Sequence, residues 1–171
     1  MISNTRLVTA AHCWFDGRTQ ARQFTVVLAS INLFSGGHRI NTNQVVMHPQ
    51  WNHRTIANDV AVIRIPHTPF NSNLIHFVYI MSFLNYFVNV PVITNDVCRR
   101  SFGQIQASNI CTSGANGRSP CPGDSGSPLT VGNTLVSCTS HLLLIRSNKN
   151  SPVHSKDSVN NQLPYIRSDR L

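Results

Sequence analysis

Short β-branched segments, each stopped by Gly or Pro, are the feature that most restricts what this chain can fold into. Residues 24–30 (FTVVLAS) run toward a Gly-Gly pair, residues 43–48 (NQVVMH) end at Pro49, and residues 59–65 (DVAVIRI) end at Pro66. β-branched residues favour strands, and proline ends them. Short strands at regular spacing predict an all-β protein, either a barrel or a sandwich.

A long uncharged stretch follows these segments. Residues 65–95 contain no Asp, Glu, Lys or Arg, and residues 74–93 are apolar enough to raise the alternative of a transmembrane helix. Polar or helix-breaking residues interrupt the run, namely His76, Asn85, Asn89 and Pro91. The interruptions favour a pair of core strands, so we expect no membrane segment.

The two ends of the chain differ from its middle. Residues 142–171 are rich in Ser and Asn and weakly hydrophobic, which predicts a disordered tail. The N-terminus lacks the basic segment and apolar core of a signal peptide. Charged residues make up only 12 % of the chain, a low share that suits a secreted domain.

Charge and cysteine content exclude several classes of function. The net charge is +8, but the basic residues are scattered and no nucleic-acid motif occurs, so we predict a solvated basic surface; an acidic partner surface stays open. There are five cysteines, so at least one lacks a partner within the chain. No C-x-x-C pair occurs, and we therefore expect no structural metal site and no cofactor.

Three motifs carry residues that can do chemistry, and they occur in the order His, Asp, Ser. His12 stands in TAAHC, Asp59 at the start of NDVAVIRI, and Ser125 in PCPGDSGSP. Each has an ordinary structural explanation by itself: a core histidine, a turn aspartate and a glycine-rich loop. Together they supply a base, a carboxylate that orients it and a hydroxyl that needs such a base to react. We expect the three side chains to converge.

The chain resembles the chymotrypsin/trypsin family of serine endopeptidases, and within it the insect chymotrypsin-like and collagenolytic (brachyurin) digestive group. The order His, Asp, Ser is that of this family. The resemblance rests on ISNTRLVTAAHCW, SGGHRINTNQVVMHPQWN, NDVAVIRI, PVITNDVCRRSFGQI and NICTSGANGRSPCPGDSGSPL. These phrases cover most of residues 2–65 and 91–135; residues 66–90 match in patches, and the part after His141 does not match.

The resemblance implies a fold and a domain layout. The fold would be an incomplete double six-stranded antiparallel β-barrel of the chymotrypsin type, with the active site between the barrels. The partial peptidase domain would span residues 1–141, with a first barrel over about 1–65 and a second over about 91–141. Residues 142–171 would be an unrelated tail. The protein would be an extracellular monomer that acts on protein or peptide substrates and meets protein inhibitors, without nucleic-acid or membrane partners.

The resemblance also implies roles for individual residues. His12, Asp59 and Ser125 would be the catalytic triad, and the backbone N–H groups of Gly123 and Ser125 would form the oxyanion hole. Ser119 would lie at the base of the substrate pocket, where a neutral residue implies cleavage after apolar or aromatic side chains. Ser140 would match a serine of the substrate-binding strand.

Cysteine pairing and activation follow from the same resemblance. Cys98 and Cys111 would form a disulfide, while Cys13 and Cys121 match half-cystines whose partners are not apparent. Cys138 has no counterpart. Asp124 matches the aspartate that pairs with a freed N-terminal amine on activation; without that amine it would be a buried carboxylate without its partner.

Three interpretations stay open from the sequence. The first is a serine endopeptidase that works through an acyl-enzyme. The second is a non-catalytic or truncated serine-peptidase homologue with a collapsed oxyanion hole. The third is a mis-joined gene product without a stable fold.

Overall fold

The structure is a computed structural model that describes residues 1–30, 34–69, 88–102, 105–118, 120, 124–132, 134–140 and 167–168. The regular secondary structure among these residues is mainly β-strand. The strands are β1 (Arg6–Thr9), β2 (Phe24–Leu28), β3 (His38–Thr42), β4 (Val45–Met47), β5 (Ala61–Arg64), β6 (Val92–Ile93), β7 (Cys111–Thr112), β8 (Pro128–Val131), β9 (Thr134–Cys138) and β10 (Arg167–Ser168). One α-helix, α1 (Asn95–Phe102), and two 3₁₀ turns, Ala11–Cys13 and Ala115–Gly117, complete the described elements.

The strands of the first half of the molecule lie in two three-stranded sheets, and the second of these sheets also contains β10. The first has the order β1–β5–β4 and is antiparallel, with Thr9 opposite Ala61 at one end. The second has the order β10–β2–β3, and β2 and β3 pair from Phe24–Thr42 to Leu28–His38. The chain between β2 and β3 turns at Gly36 and Gly37, which both have φ of 70°. Glycine adopts this left-handed backbone at little cost, as the Gly-Gly pair predicts.

The core of this half follows from alternation along the strands. Phe24, Val26 and Leu28 of β2 are buried, while the residues between them are only half-buried. They pack with buried residues from neighbouring segments, namely Leu7, Ile40, Ile63 and Ile65. Trp14 covers the edge of this core, with its ring centroid 5.0 Å from that of Phe24. A period of two is what a sheet with one buried face requires.

Among its described residues, the second half has a buried cluster of three members, Cys98, Ile105 and Cys111. β6 pairs with β7, β8 pairs with β9, and α1 lies between β6 and β7 in sequence. Thr94 begins the helix, because its hydroxyl accepts a hydrogen bond from Val97 N at 3.4 Å. A disulfide joins Cys98 of α1 to Cys111 of β7, and Ile105 packs against it.

The strand predictions are confirmed in three places. β2, β4 and β5 lie inside residues 24–30, 43–48 and 59–65. The apolar run at residues 74–93 lies mostly outside the described residues. Within the described part of the chain, no helix has the length and apolar character needed to cross a membrane. Of the tail, Arg167–Ser168 form β10 beside β2, and the rest lies outside the described residues.

Candidate active site

The pairing of β1 with β5 brings His12 and Asp59 together across 47 positions of sequence. His12 lies in the 3₁₀ turn that follows β1, and Asp59 lies two residues before β5. Because Thr9 pairs with Ala61, the C-terminal end of β1 lies next to the N-terminal end of β5. The antiparallel register therefore determines that these side chains meet.

Asp59 binds His12 through both carboxylate oxygens. Asp59 Oδ2 is 2.7 Å from His12 Nδ1, and Asp59 Oδ1 accepts the backbone N–H of His12 at 2.8 Å. Both side chains are nearly buried, with 10 % of His12 and 5 % of Asp59 exposed. Two bonds to one residue hold the ring in a single orientation. The carboxylate accepts a hydrogen bond from the N–H at Nδ1, so Nε2 is the unprotonated nitrogen when the ring is neutral.

The environment of His12 strongly favours its charged form. Burial lowers its pKa, but the hydrogen bonds and charges of Asp59 and Cys13 outweigh burial and raise the pKa of His12 to about 10, from an ordinary 6.5. At neutral pH the imidazole is therefore protonated at both nitrogens. The carboxylate of Asp59 therefore stabilises the imidazolium form of His12.

Ser140 also contacts the carboxylate. It follows β9, and its Oγ donates a hydrogen bond to Asp59 Oδ2. Asp59 thus receives three hydrogen bonds, from His12 Nδ1, His12 N and Ser140 Oγ. The hydroxyl expected at the substrate-binding strand lies here against the aspartate, which fixes the carboxylate plane as well as the ring.

The turn that carries Ser125 is held beside this pair by the β8–β9 hairpin. Gly126 N donates to Thr139 O at 2.8 Å, and Thr139 N donates to Ser127 O at 2.7 Å. Gly126 has φ of 86°, and a Cβ at this position would overlap Thr9 Oγ1. A side chain at Gly126 is therefore excluded by backbone conformation and by the close approach of β1.

His12 Nε2 contacts the Cys13 thiol. Cys13 Sγ lies 3.8 Å from Nε2 and 3.8 Å from the carbonyl oxygen of Ser125. The sequence alone does not predict a place for Cys13 in the site. Its position directly after His12 in the sequence is the one local signal for this contact.

The other expected residues fall in several places. Ser119, Gly123 and Cys121 lie outside the described residues. Asp124 is half-buried and has an interaction partner, so the expectation of a buried, partnerless carboxylate is wrong; it opens a turn that is partly exposed. Cys13 and Cys138 are free thiols. No group of three or more His, Cys, Asp or Glu side chains suited to a metal occurs in the part of the chain that the structure describes.

Comparison with known proteins gives one consistent family. The Trypsin family model matches residues 1–79 and 82–157. Collagenase from Hypoderma lineatum is 31 % identical over 157 residues, covering 77 % of this chain and 59 % of the relative. Brachyurin from Leptuca pugilator is 28 % identical over 168 residues, covering 82 % of this chain and 73 % of the relative. The solved structure of HL collagenase has a TM-score of 0.60 at 30 % identity, covering 75 % of this chain and 65 % of that one.

The chain belongs to the trypsin family, and its fold is of the all-β chymotrypsin type. Both predictions are confirmed. The family match extends to residue 157, beyond the point where the quoted phrases end. The chain spans 59 % of the length of the Hypoderma lineatum collagenase that it matches.

Proposed function

We propose that this chain is the peptidase part of a serine endopeptidase that hydrolyses protein substrates through an acyl-enzyme. The observation that carries the proposal is the orientation of His12. Asp59 binds Nδ1 and the backbone N–H, and the Cys13 thiol contacts both Nε2 and the carbonyl oxygen of Ser125 at 3.8 Å, which supports a position of Nε2 near the Ser125 turn. A buried base, a carboxylate that orients it and a serine in a tight turn are the parts that acyl transfer requires.

Each residue has a defined part in the reaction. Ser125 Oγ attacks the carbonyl carbon of the scissile peptide bond, and His12 Nε2 takes the hydroxyl proton. The imidazolium then gives that proton to the amine nitrogen as the carbon–nitrogen bond breaks, which leaves an ester on Ser125. A water molecule, deprotonated by His12, attacks the ester carbon. The bond from this carbon to Ser125 Oγ then breaks, His12 returns the proton to Oγ, and the acid is released. Asp59 stays ionised and stabilises the imidazolium in both halves.

Stabilisation of the oxyanion is assigned to backbone N–H groups of Gly123 and Ser125. Negative charge develops on the carbonyl oxygen during attack, and fixed dipoles that point at it lower the barrier. Removing one such donor raises the activation free energy by about 3–4 kcal/mol. The neutral Ser119 is assigned to the base of the pocket, which favours apolar or aromatic side chains before the cleaved bond. The proposal includes secretion of a monomer that meets protein substrates and inhibitors outside the cell.

A fluorophosphonate probe tests the nucleophile. We expect one adduct on the folded chain, located on Ser125 by peptide mapping, and its loss in Ser125→Ala. Ser127→Ala is the matched control, because it removes a hydroxyl two residues away in the same turn. A folded chain that takes no probe, or a Ser125→Ala variant that still does, contradicts the proposal.

The pH dependence of labelling tests the base. Attack needs neutral His12, and the pKa of about 10 leaves little of it at pH 7. The rate of labelling is therefore expected to rise across the alkaline range, up to pH 10. In Cys13→Ala the hydrogen bond and charge that help to raise this pKa are removed, so the rise should begin at lower pH. An acid limb centred near pH 6.5 in the unsubstituted chain would contradict this.

Cleavage preference is tested with paired peptides. Substrates with Phe before the scissile bond are expected to be cleaved at a higher kcat/KM than matched substrates with Arg. Ser119→Asp would place a carboxylate in the pocket and reverse the preference. Equal cleavage of both peptides would contradict the assignment of Ser119 to the base of the substrate pocket.

One contact favours a second candidate, a non-catalytic homologue that acts by binding. His12 Nε2 faces the Cys13 thiol at 3.8 Å, and it has no hydrogen bond with Ser125 Oγ among the described residues. In this candidate the probe fails to label the folded chain, and Ser125→Ala leaves binding of a protein partner unchanged.

A further inference from the structure

Two arginines lie directly opposite each other at one end of the first sheet. Arg6 of β1 pairs with Arg64 of β5, and both residues are exposed. Directly opposite residues of an antiparallel pair project from the same face, with their Cβ atoms about 5 Å apart. Like charges in this position repel each other, so an anion that binds between the two side chains removes a destabilising contact.

No carboxylate in the described part of the chain neutralises this arginine pair. The two ion pairs found there join His12 to Asp59 and Arg99 to Asp96. The whole chain contains 14 Lys and Arg but only 6 Asp and Glu, which gives a net charge of +8. This excess of cations leaves the arginine pair available to an anion from another molecule.

A cavity adjoins the pair on the side of Arg64. It has a volume of about 390 Å³ and is lined by residues 41–44 and 64–66. Its walls are the end of β3, the turn into β4 and the chain that leaves β5. Arg64 N donates to Gln44 O at 2.8 Å, so Arg6, Arg64 and Gln44 lie in one row across the end of the sheet. The cavity thus has a cationic side and an uncharged polar side.

The amide groups on the uncharged side are oriented to donate hydrogen bonds. Asn41 Oδ1 accepts from Thr25 Oγ1 at 2.8 Å, and Asn43 Oδ1 accepts from Gln44 Nε2 at 3.3 Å. The Nδ2 groups of Asn41 and Asn43 have no acceptor among the residues that the structure describes, and both residues are exposed. Amides whose oxygen is occupied and whose NH2 group is not can bind a further acceptor.

We propose that this cavity binds an acidic peptide segment of another protein. Carboxylates of the segment pair with Arg6 and Arg64, because a planar guanidinium matches a carboxylate with two parallel hydrogen bonds. The Nδ2 groups of Asn41 and Asn43 donate to carboxylate oxygens that the arginines leave free.

A peptide fits the site better than other anions do. A volume of about 390 Å³ exceeds what one small inorganic ion occupies, since a water molecule takes up about 30 Å³. A long polysaccharide needs a continuous track of cations, and the other basic residues of the chain are scattered. The site is also separate from the candidate active site, because Asp59 precedes β5 and Arg64 ends it, about 16 Å apart along an extended strand.

Fluorescence anisotropy of a fluorescein-labelled peptide with a run of aspartates measures the binding. The control peptide has asparagine at the same positions. We expect the chain to bind the aspartate peptide at least about tenfold more tightly, because charge-assisted hydrogen bonds are about twice as strong as neutral ones. Added NaCl should weaken this binding, because salt screens exposed charges. Equal affinities for the two peptides overturn the proposal.

Two double variants with equal net charge separate this site from general attraction to a basic protein. Arg6→Gln/Arg64→Gln should weaken binding of the aspartate peptide at least about tenfold. Arg18→Gln/Arg54→Gln removes the same charge from two other exposed positions and should weaken it less than about threefold. Equal weakening in both double variants overturns the proposal.

Amide hydrogen exchange locates the peptide on the unsubstituted chain, so this measurement holds even where a variant does not fold. With the aspartate peptide bound, exchange should slow at residues 41–44 and 64–66. Slowing confined to residues 48–60, at the active-site end of β5, overturns the proposal.

A heparin oligosaccharide tests the choice of occupant. If it binds more tightly than the aspartate peptide and loses this binding in Arg6→Gln/Arg64→Gln, the proposal of a peptide is overturned. Ser125→Ala should bind the aspartate peptide as its parent does. This site and the proposed peptidase function can therefore fail independently.

Discussion

The two halves of the molecule differ in how firmly they hold their part of the site. The first half, residues 1–69, contributes His12 and Asp59 from paired strands over a core of seven buried residues. The second half, residues 88–140, contributes Ser125 and Ser140 from segments that flank a two-stranded hairpin. The buried cluster among its described residues has three members, two of them joined by a disulfide. The base is thus positioned by packing, and the serine by a few contacts that cross between the halves.

Those crossing contacts are specific. Ser140 Oγ donates a hydrogen bond to Asp59, and Cys13 Sγ contacts the carbonyl oxygen of Ser125. Gly126 lies so close to Thr9 that a Cβ at Gly126 would overlap Thr9 Oγ1. The exposed apolar residues of the hairpin contrast with the buried face of β2, for Val131 is 66 % exposed and Phe24 is 0 % exposed. The described residues of the two halves thus bury very different amounts of apolar surface, although both halves contribute residues to the same candidate site.

Truncation of the central core residue is expected to have the largest effect. Phe24→Ala removes a fully buried ring that packs on Trp14, and the free energy of unfolding should fall by about 3–5 kcal/mol. Val92→Ala, in the second half and 65 % exposed, is the control and should change it by less than about 0.5 kcal/mol. Urea unfolding followed by fluorescence measures both. Equal losses would mean that the halves do not differ as described.

The His12–Asp59 pair should give the first half a pH-dependent stability. The folded-state pKa of His12 is raised above 6.5 to about 10, so its contribution is complete below pH 6.5 and is lost as pH rises through 10. The slope is at most about 1.4 kcal/mol per pH unit in this window, or about 3 kcal/mol from pH 7 to pH 9. Thermal unfolding at a series of pH values measures it.

Asp59→Asn is the control for that slope, because the amide removes the carboxylate charge that raises the pKa of His12. The variant should have a flatter dependence of Tm on pH between 6.5 and 10. Parallel curves for the two proteins would refute the assignment of the slope to His12.

Loss of the disulfide should affect the second half selectively. Cys98 and Cys111 are 13 residues apart, and closing a loop of this length stabilises by about 3 kcal/mol. In the double variant Cys98→Ala/Cys111→Ala, amide hydrogen exchange should become faster in α1 and β7, with little change in β5. Equal acceleration in β5 would show that the two halves unfold as one unit.

The smallest effect is expected at the contact between the halves. Gly126→Ala adds a Cβ at a positive φ and against Thr9 Oγ1, which should cost about 1–3 kcal/mol. Thr9 Oγ1 is buried without a hydrogen-bond partner in the described residues, so Thr9→Ala removes an obstacle and no bond. In the double variant part of the loss should be recovered, with a coupling of about 0.5–3 kcal/mol. Strict additivity would show that β1 and the Ser125 turn are not in contact.

The sequence by itself determined the local structure and the kind of chemistry in this chain. Alternation in FTVVL and in AVIR predicts β2 and β5, and TAAHC, NDVAVIRI and GDSG carry the family resemblance. These features depend on neighbours in the chain, because strand period, turn glycines and motif residues are set within a few positions. The two-residue strands β6 and β7 carry too short a pattern to be recognised in this way.

Only the tertiary structure decided which groups surround each motif residue. The antiparallel register of β1 with β5 places the Asp59 carboxylate against Nδ1 and the backbone N–H of His12. The β8–β9 hairpin places Ser140 Oγ against the same carboxylate. The contact of Cys13 with His12 Nε2 likewise depends on how the turn after β1 is oriented. The pKa of His12 is about 10 because hydrogen bonds and charges a few ångströms away outweigh the opposing effect of burial, and these are properties of the packed fold that no local pattern of residues contains.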